Sequence, residues 1–193
     1  MENNITFSSR IRPVRKSEYT RIISSYGERK LVDYPWTLKQ SVYADKAYTK
    51  DVYDCSVCGI TDGMKVLLMH LSPTNSANFD FAKVKNLVKE KFGLPNQDLQ
   101  AILLGGKSIS INKQESHQLF QKFEDFLSSC KIPFSKFKGG NGTSDVAYSS
   151  VTDEWIIANN QMESVLNDKT KSTSELLKKC YNEVSIAECD DLC

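Results

Sequence analysis

Asp62-Gly63 separates two apolar runs, 52–60 (VYDCSVCGI) and 64–72 (MKVLLMHLS). An Asp-Gly pair in this position predicts an antiparallel hairpin, because a type I′ turn needs positive φ at both central residues and these two residue types tolerate it. With Asp62 and Gly63 as the whole loop, Thr61 faces Met64 and Cys55 faces His70. Directly opposed residues on an antiparallel pair share a face, with Cβ atoms roughly 4.5–5.5 Å apart. At that separation an imidazole can take the proton of a thiol. Turn chemistry and strand alternation therefore predict a cysteine–histidine pair.

The same alternation removes the competing cysteine. Cys58 lies an odd number of residues from Cys55, so it points to the other face and opposes Leu67. A one-residue slip would exchange every face. Taken singly, Cys55 reads as a small buried hydrophobe and His70 as a core histidine; their coincidence in register is what marks them as a pair. Cys55-x-x-Cys58 does not form a metal site on this reading, since its thiols diverge, no second such motif exists and no histidine stands at ligand spacing. No metal or cofactor is expected.

A chain of 193 residues suits one well-buried domain. A net charge of +1 supplies no bulk attraction to nucleic acid or to a membrane surface, so neither is an expected partner. The local basic cluster of Arg10, Arg12, Arg15, Lys16 and Arg21 reads as a solvated helix face. No stretch approaches the roughly 18 apolar residues of a membrane span, and residues 1–10 lack the basic and apolar regions of a secretory signal. The six cysteines are too dispersed for a disulfide scaffold and imply free thiols in a reducing compartment.

Along the chain, residues 1–39 form a polar extension with one helix over 17–26, stopped by Gly27. Residues 41–49 alternate like a strand. A helix is expected over 80–92, with Phe81, Val84, Leu87 and Val88 as its apolar stripe and Gly93 as its cap. Residues 99–104 read as a buried strand ending at Gly105-Gly106. A second helix over 115–130 presents Leu119, Phe120, Phe123, Phe126 and Leu127 on one face and leaves His117 toward solvent. A strand over 132–137 closes at the GGNG run 139–142, and 145–149 with 154–158 forms a last hairpin. Residues 161–193 make a polar tail with a helix over 174–181 and the exposed Cys189 and Cys193. Neither glycine run has the spacing of a dinucleotide or P-loop fingerprint. Strands first and last with two main helices between them predict an α+β protein, a sandwich of mixed, mostly antiparallel sheets.

Thr49, six residues before Cys55, together with His70 and the Leu71-Ser72-Pro73 that follows it, resembles the CheD family of chemoreceptor glutamine deamidases. The later order agrees: ILLGG (102–106), a helix, GGN (139–141) and a closing hairpin (145–159). The match runs over 40–159, so 40–160 is taken as the catalytic domain. The same Thr-Cys-His arrangement is similar to that of bacterial toxins of the cytotoxic necrotizing factor and Burkholderia lethal factor type. The resemblance implies a CheD-like sandwich and a cysteine-dependent deamidase that converts a glutamine of a partner protein to glutamate. In it Cys55 is the nucleophile, His70 the acid and base, and Thr49 the group that orients the imidazole. It places entrance loops at 73–78 and 139–144, with Asn75, Gly140 and Asn141 as candidate substrate contacts. Tyr53-Asp54 and Gly142-Thr143-Ser144 replace residues usual in the family, which points to a substrate other than a chemoreceptor helix. The expected location is the cytoplasm, or a host cell reached without a conventional signal peptide. A transglutaminase or cysteine protease would use the same pair, and a non-catalytic binding module would need neither residue.

Overall fold

The computed structural model describes residues 9–27, 41–74, 80–93, 98–107 and 113–187. In chain order the strands are β1 (Arg10–Val14), β2 (Val42–Ala44), β3 (Lys46–Val52), β4 (Ser56–Thr61), β5 (Val66–Leu71), β6 (Gln100–Gly105), β7 (Phe134–Lys138), β8 (Ser144–Ser149), β9 (Glu154–Asn159) and β10 (Glu183–Ser185). The helices are α1 (Lys16–Ile23), α2 (Phe81–Phe92), α3 (Lys113–Ser129), α4 (Met162–Val165) and α5 (Thr173–Leu177). The protein is α+β, with two open mixed sheets. One has the order β1-β9-β8-β3, the other β10-β7-β6-β4-β5-β2. Only β1 with β9 and β6 with β7 run parallel among the described pairs.

Alternation along the strands builds the layers. Ala47, Val52, Val146, Tyr148, Trp155 and Ile157 of the smaller sheet bury against Val57, Val66, Leu68, Ile102, Leu104 and Phe137 of the larger one. The opposite side chains of the larger sheet, among them Cys58, Ile60, Leu67 and Met69, pack beneath Val84 and Val88 of α2 and the Phe120, Phe123 and Phe126 row of α3. The outer face of the smaller sheet is covered by Tyr19 and Ile23 of α1. The order of layers is helix, sheet, sheet, helices. Gly59 marks the closest approach of the sheets, since a Cβ there would stand 2.3 Å from the Trp155 ring.

Local chemistry explains the helix ends. Asp80 accepts from the backbone N–H of Ala82 and Lys83, and Gly93 closes α2 with φ of 72°. Ser172 and Glu175 form a reciprocal capping box on α5, which ends at Leu177, earlier than the sequence pattern suggested.

The extension and the tail both contribute to the sheets, as β1 beside β9 and β10 beside β7. The basic cluster is drawn into ion pairs: Arg10 with Glu154 at 3.1 Å, Arg12 with Glu18 at 2.5 Å and Lys16 with Asp145 at 2.7 Å. No described helix is long and apolar enough to cross a membrane.

The hairpin forms, but its register differs from the expected one. Thr61 pairs with Val66 and His70 with Val57, so the loop holds Asp62-Gly63-Met64-Lys65. The Asp62 carboxylate accepts from the N–H of Met64 and Lys65 at 2.9 and 2.7 Å, and the Thr61 hydroxyl donates to Lys65 O at 2.7 Å. These side-chain bonds wrap the chain around Asp62 and absorb two further residues, as short polar side chains do in turns. Cys55 is therefore not directly opposite His70. A shift of two residues preserves every face, so Cys55 still shares the inner face with His70's partner Val57, while Cys58 faces the helices.

Candidate active site

Thr49 is on β3 in the smaller sheet and His70 is on β5 in the larger one. Their side chains meet across the sheet interface, Thr49 Oγ1 to His70 Nδ1 at 2.7 Å, and both residues are buried. The bond fixes the ring's rotation. If Nδ1 carries the proton and donates it to Oγ1, Nε2 is left with the lone pair a base requires.

The backbone of Thr49 is itself held. The Tyr19 hydroxyl, from α1, lies 2.7 Å from Thr49 O and 2.8 Å from Val146 O, so one phenolic proton bridges two paired strands. Burial, with the nearby Asp145 carboxylate adding to it, holds the Tyr19 phenol well above its ordinary pKa and keeps it a donor.

Immediately after Thr49 the β3–β8 register shifts. Asp51 there adopts φ of 54°, and its N–H donates to Asp145 Oδ1 at 2.8 Å. This bulge redirects the chain toward Tyr53-Asp54-Cys55. Ser116 of α3 donates to Asp54 O at 2.7 Å, and Gly105 lies so close that a Cβ would stand 2.5 Å from Cys55 O. The thiol segment is thus clamped between α3 and the end of β6. The Asp54 carboxylate accepts weakly from the Cys55 thiol at 3.9 Å. Cys55 and His70 are each 1% exposed.

Of the other expected contacts, Asn75 lies outside the described residues, as do positions 76–78 of its loop. Gly140 is buried with φ of 89°, and its Cα faces the Cys180 carbonyl, where a Cβ would stand 2.0 Å away. Asn141 is exposed, and its carbonyl accepts from Asn159 Nδ2 at 3.2 Å. His117 is half-buried rather than solvent-facing. Its Nε2 is enclosed with no described hydrogen-bond partner, and burial, with Lys138 and Lys113 nearby, lowers its pKa.

Cys58, sealed under the helices, has its thiol pKa pushed far up by burial. No cluster of three or more His, Cys, Asp or Glu residues is placed to hold a metal among the described residues. Sequence reasoning missed Tyr19, Ser116 and Lys107, which follows Gly105-Gly106. The only trace of Tyr19 was its place with Ile22 and Ile23 on the apolar stripe of α1. No known protein family and no curated protein matches this chain.

Proposed function

We propose that the chain is a CheD-like cysteine deamidase acting on a glutamine side chain of a partner protein. The observation that carries this reading is the buried 2.7 Å bond between Thr49 Oγ1 and His70 Nδ1, with Cys55 on the inner face they occupy. An orienting hydroxyl, an imidazole and a thiol are the parts that acyl transfer from an amide requires.

The thiolate of Cys55 attacks the carboxamide carbon to give a tetrahedral intermediate. The C–N bond breaks as the imidazolium of His70 gives its Nε2 proton to the departing ammonia, leaving a thioester. Nε2 then takes a proton from water, the hydroxide adds to the thioester carbon, and the C–S bond breaks. Glutamate forms and the thiolate returns with the proton on His70. Thr49 keeps the ring in register through both halves. The edit adds one negative charge to the partner's surface, and it serves equally a cytoplasmic enzyme or an effector delivered into a host cell.

The test is peptide-resolved mass spectrometry of a cell extract incubated with the wild-type chain and with Cys55→Ala. The expected result is glutamine-to-glutamate conversion at defined positions with the wild-type chain alone. Amine incorporation at those positions would make the protein a transglutaminase, and backbone cleavage would make it a protease. Identical extracts with both chains would remove catalysis and leave a binding module.

A further inference from the structure

Cys55 and His70 are each 1% exposed, so recognition of a partner's surface falls to the exposed groups around them. Among the described residues, five large apolar or aromatic side chains are exposed: Tyr43, Tyr53, Met64, Phe81 and Val151. Tyr43 and Phe81 each pack edge-on against another ring, and Met64 and Val151 stand in the turns that follow β4 and β8. Tyr53 alone belongs to the thiol segment, the link 53–55 between β3 and β4, and 45% of it is exposed. Two residues of chain span at most about 7 Å, so a partner that presents a glutamine at Cys55 passes beside Tyr53.

The ring is also held in place. The Lys107 ammonium stands over it, 4.1 Å from the centroid, and donates to the carbonyl of Gly142. Lys107 is 4% exposed, and a cation screened from water binds an aromatic face more strongly than an exposed one does. Ser116 and Gly105 fix the backbone at Asp54 and Cys55. One face of the ring is thus occupied, and its exposed remainder has a set position relative to the thiol. A pre-placed ring with two χ angles loses little freedom on binding, which suits tyrosine to recognition surfaces. The charges beside it balance: Asp54 opposes Lys107, and Lys16 pairs with Asp145 at 2.7 Å. A charged side chain finds no net attraction there, and a cation would meet Lys107 behind the ring. An apolar side chain finds a surface to cover.

We propose that Tyr53 is a specificity-determining residue, the platform on which the partner residue adjoining the target glutamine rests, and that this adjoining residue is bulky and apolar. The proposal rests on the deamidase reading for the glutamine itself and adds the chemistry of its neighbour.

The probes are short peptides bearing a side-chain chloroacetamide in place of the glutamine carboxamide, flanked on both sides by Leu, Phe, Ala or Lys. The Cys55 thiolate displaces chloride and forms a thioether, and peptide-resolved mass spectrometry gives the rate at Cys55 for each probe. The wild-type chain is expected to react about tenfold faster with the Leu and Phe probes than with the Ala and Lys probes. Tyr53→Ala and Tyr53→Gln are expected to lose that preference, and Tyr53→Phe to keep it. Taking the Leu-to-Ala ratio within each variant cancels any change in the thiol's own reactivity. The proposal is overturned by a wild-type chain with no apolar preference, by one whose Cys55 no probe alkylates, or by an unchanged ratio in either folded ringless variant. Circular dichroism identifies a variant that fails to fold, and the other then carries the comparison. Ammonia release from the matching glutamine peptides separates this result from the catalytic reading. Apolar-selective alkylation without ammonia counts against deamidation alone, and ammonia release without a flanking preference counts against Tyr53 alone.

Discussion

The hydroxyl of Tyr19, on the N-terminal helix, donates at 2.7 Å to the backbone carbonyl of Thr49, the same residue whose hydroxyl holds His70. The N-terminal segment therefore reaches the site through a backbone contact. Tyr19→Phe keeps the ring and removes the proton shared with Val146 O. The expected cost is about 1–2 kcal/mol, the usual result of losing one buried hydrogen bond. A urea midpoint equal to the wild-type value would show that the bridge contributes nothing.

Thr49→Val replaces the hydroxyl by a methyl of similar volume and removes the partner of His70 Nδ1. Deamidation is expected to drop about 10- to 100-fold while Thr49→Ser retains most of it, since an orienting group acts through the imidazole. Cys55→Ala is expected to abolish turnover with the fold intact. Equal kcat for Thr49→Val and wild type would end the orienting role.

Gly59→Ala inserts a methyl group 2.3 Å from the Trp155 ring, where neither sheet has space. Overpacking of this kind costs about 1–3 kcal/mol. The thermal midpoint is expected to fall by about 2–4 °C for each kcal/mol lost in a domain of this size. Trp155→Phe in the Gly59→Ala background is expected to recover part of that loss, and calorimetry of the four combinations measures the coupling.

Stability is expected to decline at alkaline pH. Burial raises the Cys180 thiol to about 11, and raises Cys58 further. An acid raised in the folded state contributes stability that is complete below its unfolded pKa, here near 8.5, and is lost as pH climbs toward the folded value. Urea midpoints measured from pH 8 to pH 11 should fall, and Cys180→Ala should flatten part of the slope. In a labelling time course at pH 8, Cys180 should react more slowly than the half-buried Cys130, because burial both shields its sulfur and raises its thiol pKa.

Local rules read directly from the chain determined a good deal. Asp62-Gly63 specified a hairpin, and the period of two put Cys55 and Cys58 on opposite faces; the packing of the layers made the first the inner face and the second the face beneath the helices. The apolar rows of α2 and α3 had a helical period, and Gly93 ended α2 where its chemistry requires. Register itself was decided in three dimensions, because bonds from the Asp62 and Thr61 side chains to the loop backbone enlarged the turn. The contacts that shape the site were also out of reach of pattern. Tyr19 bonds Thr49 O across 30 residues, Ser116 bonds Asp54 O across 62, and Lys107 bonds Gly142 O across 35. In each case the acceptor is a backbone carbonyl. Every residue carries one, so composition and spacing leave no mark of which is used, and only the packing of the two sheets against their helices selects it.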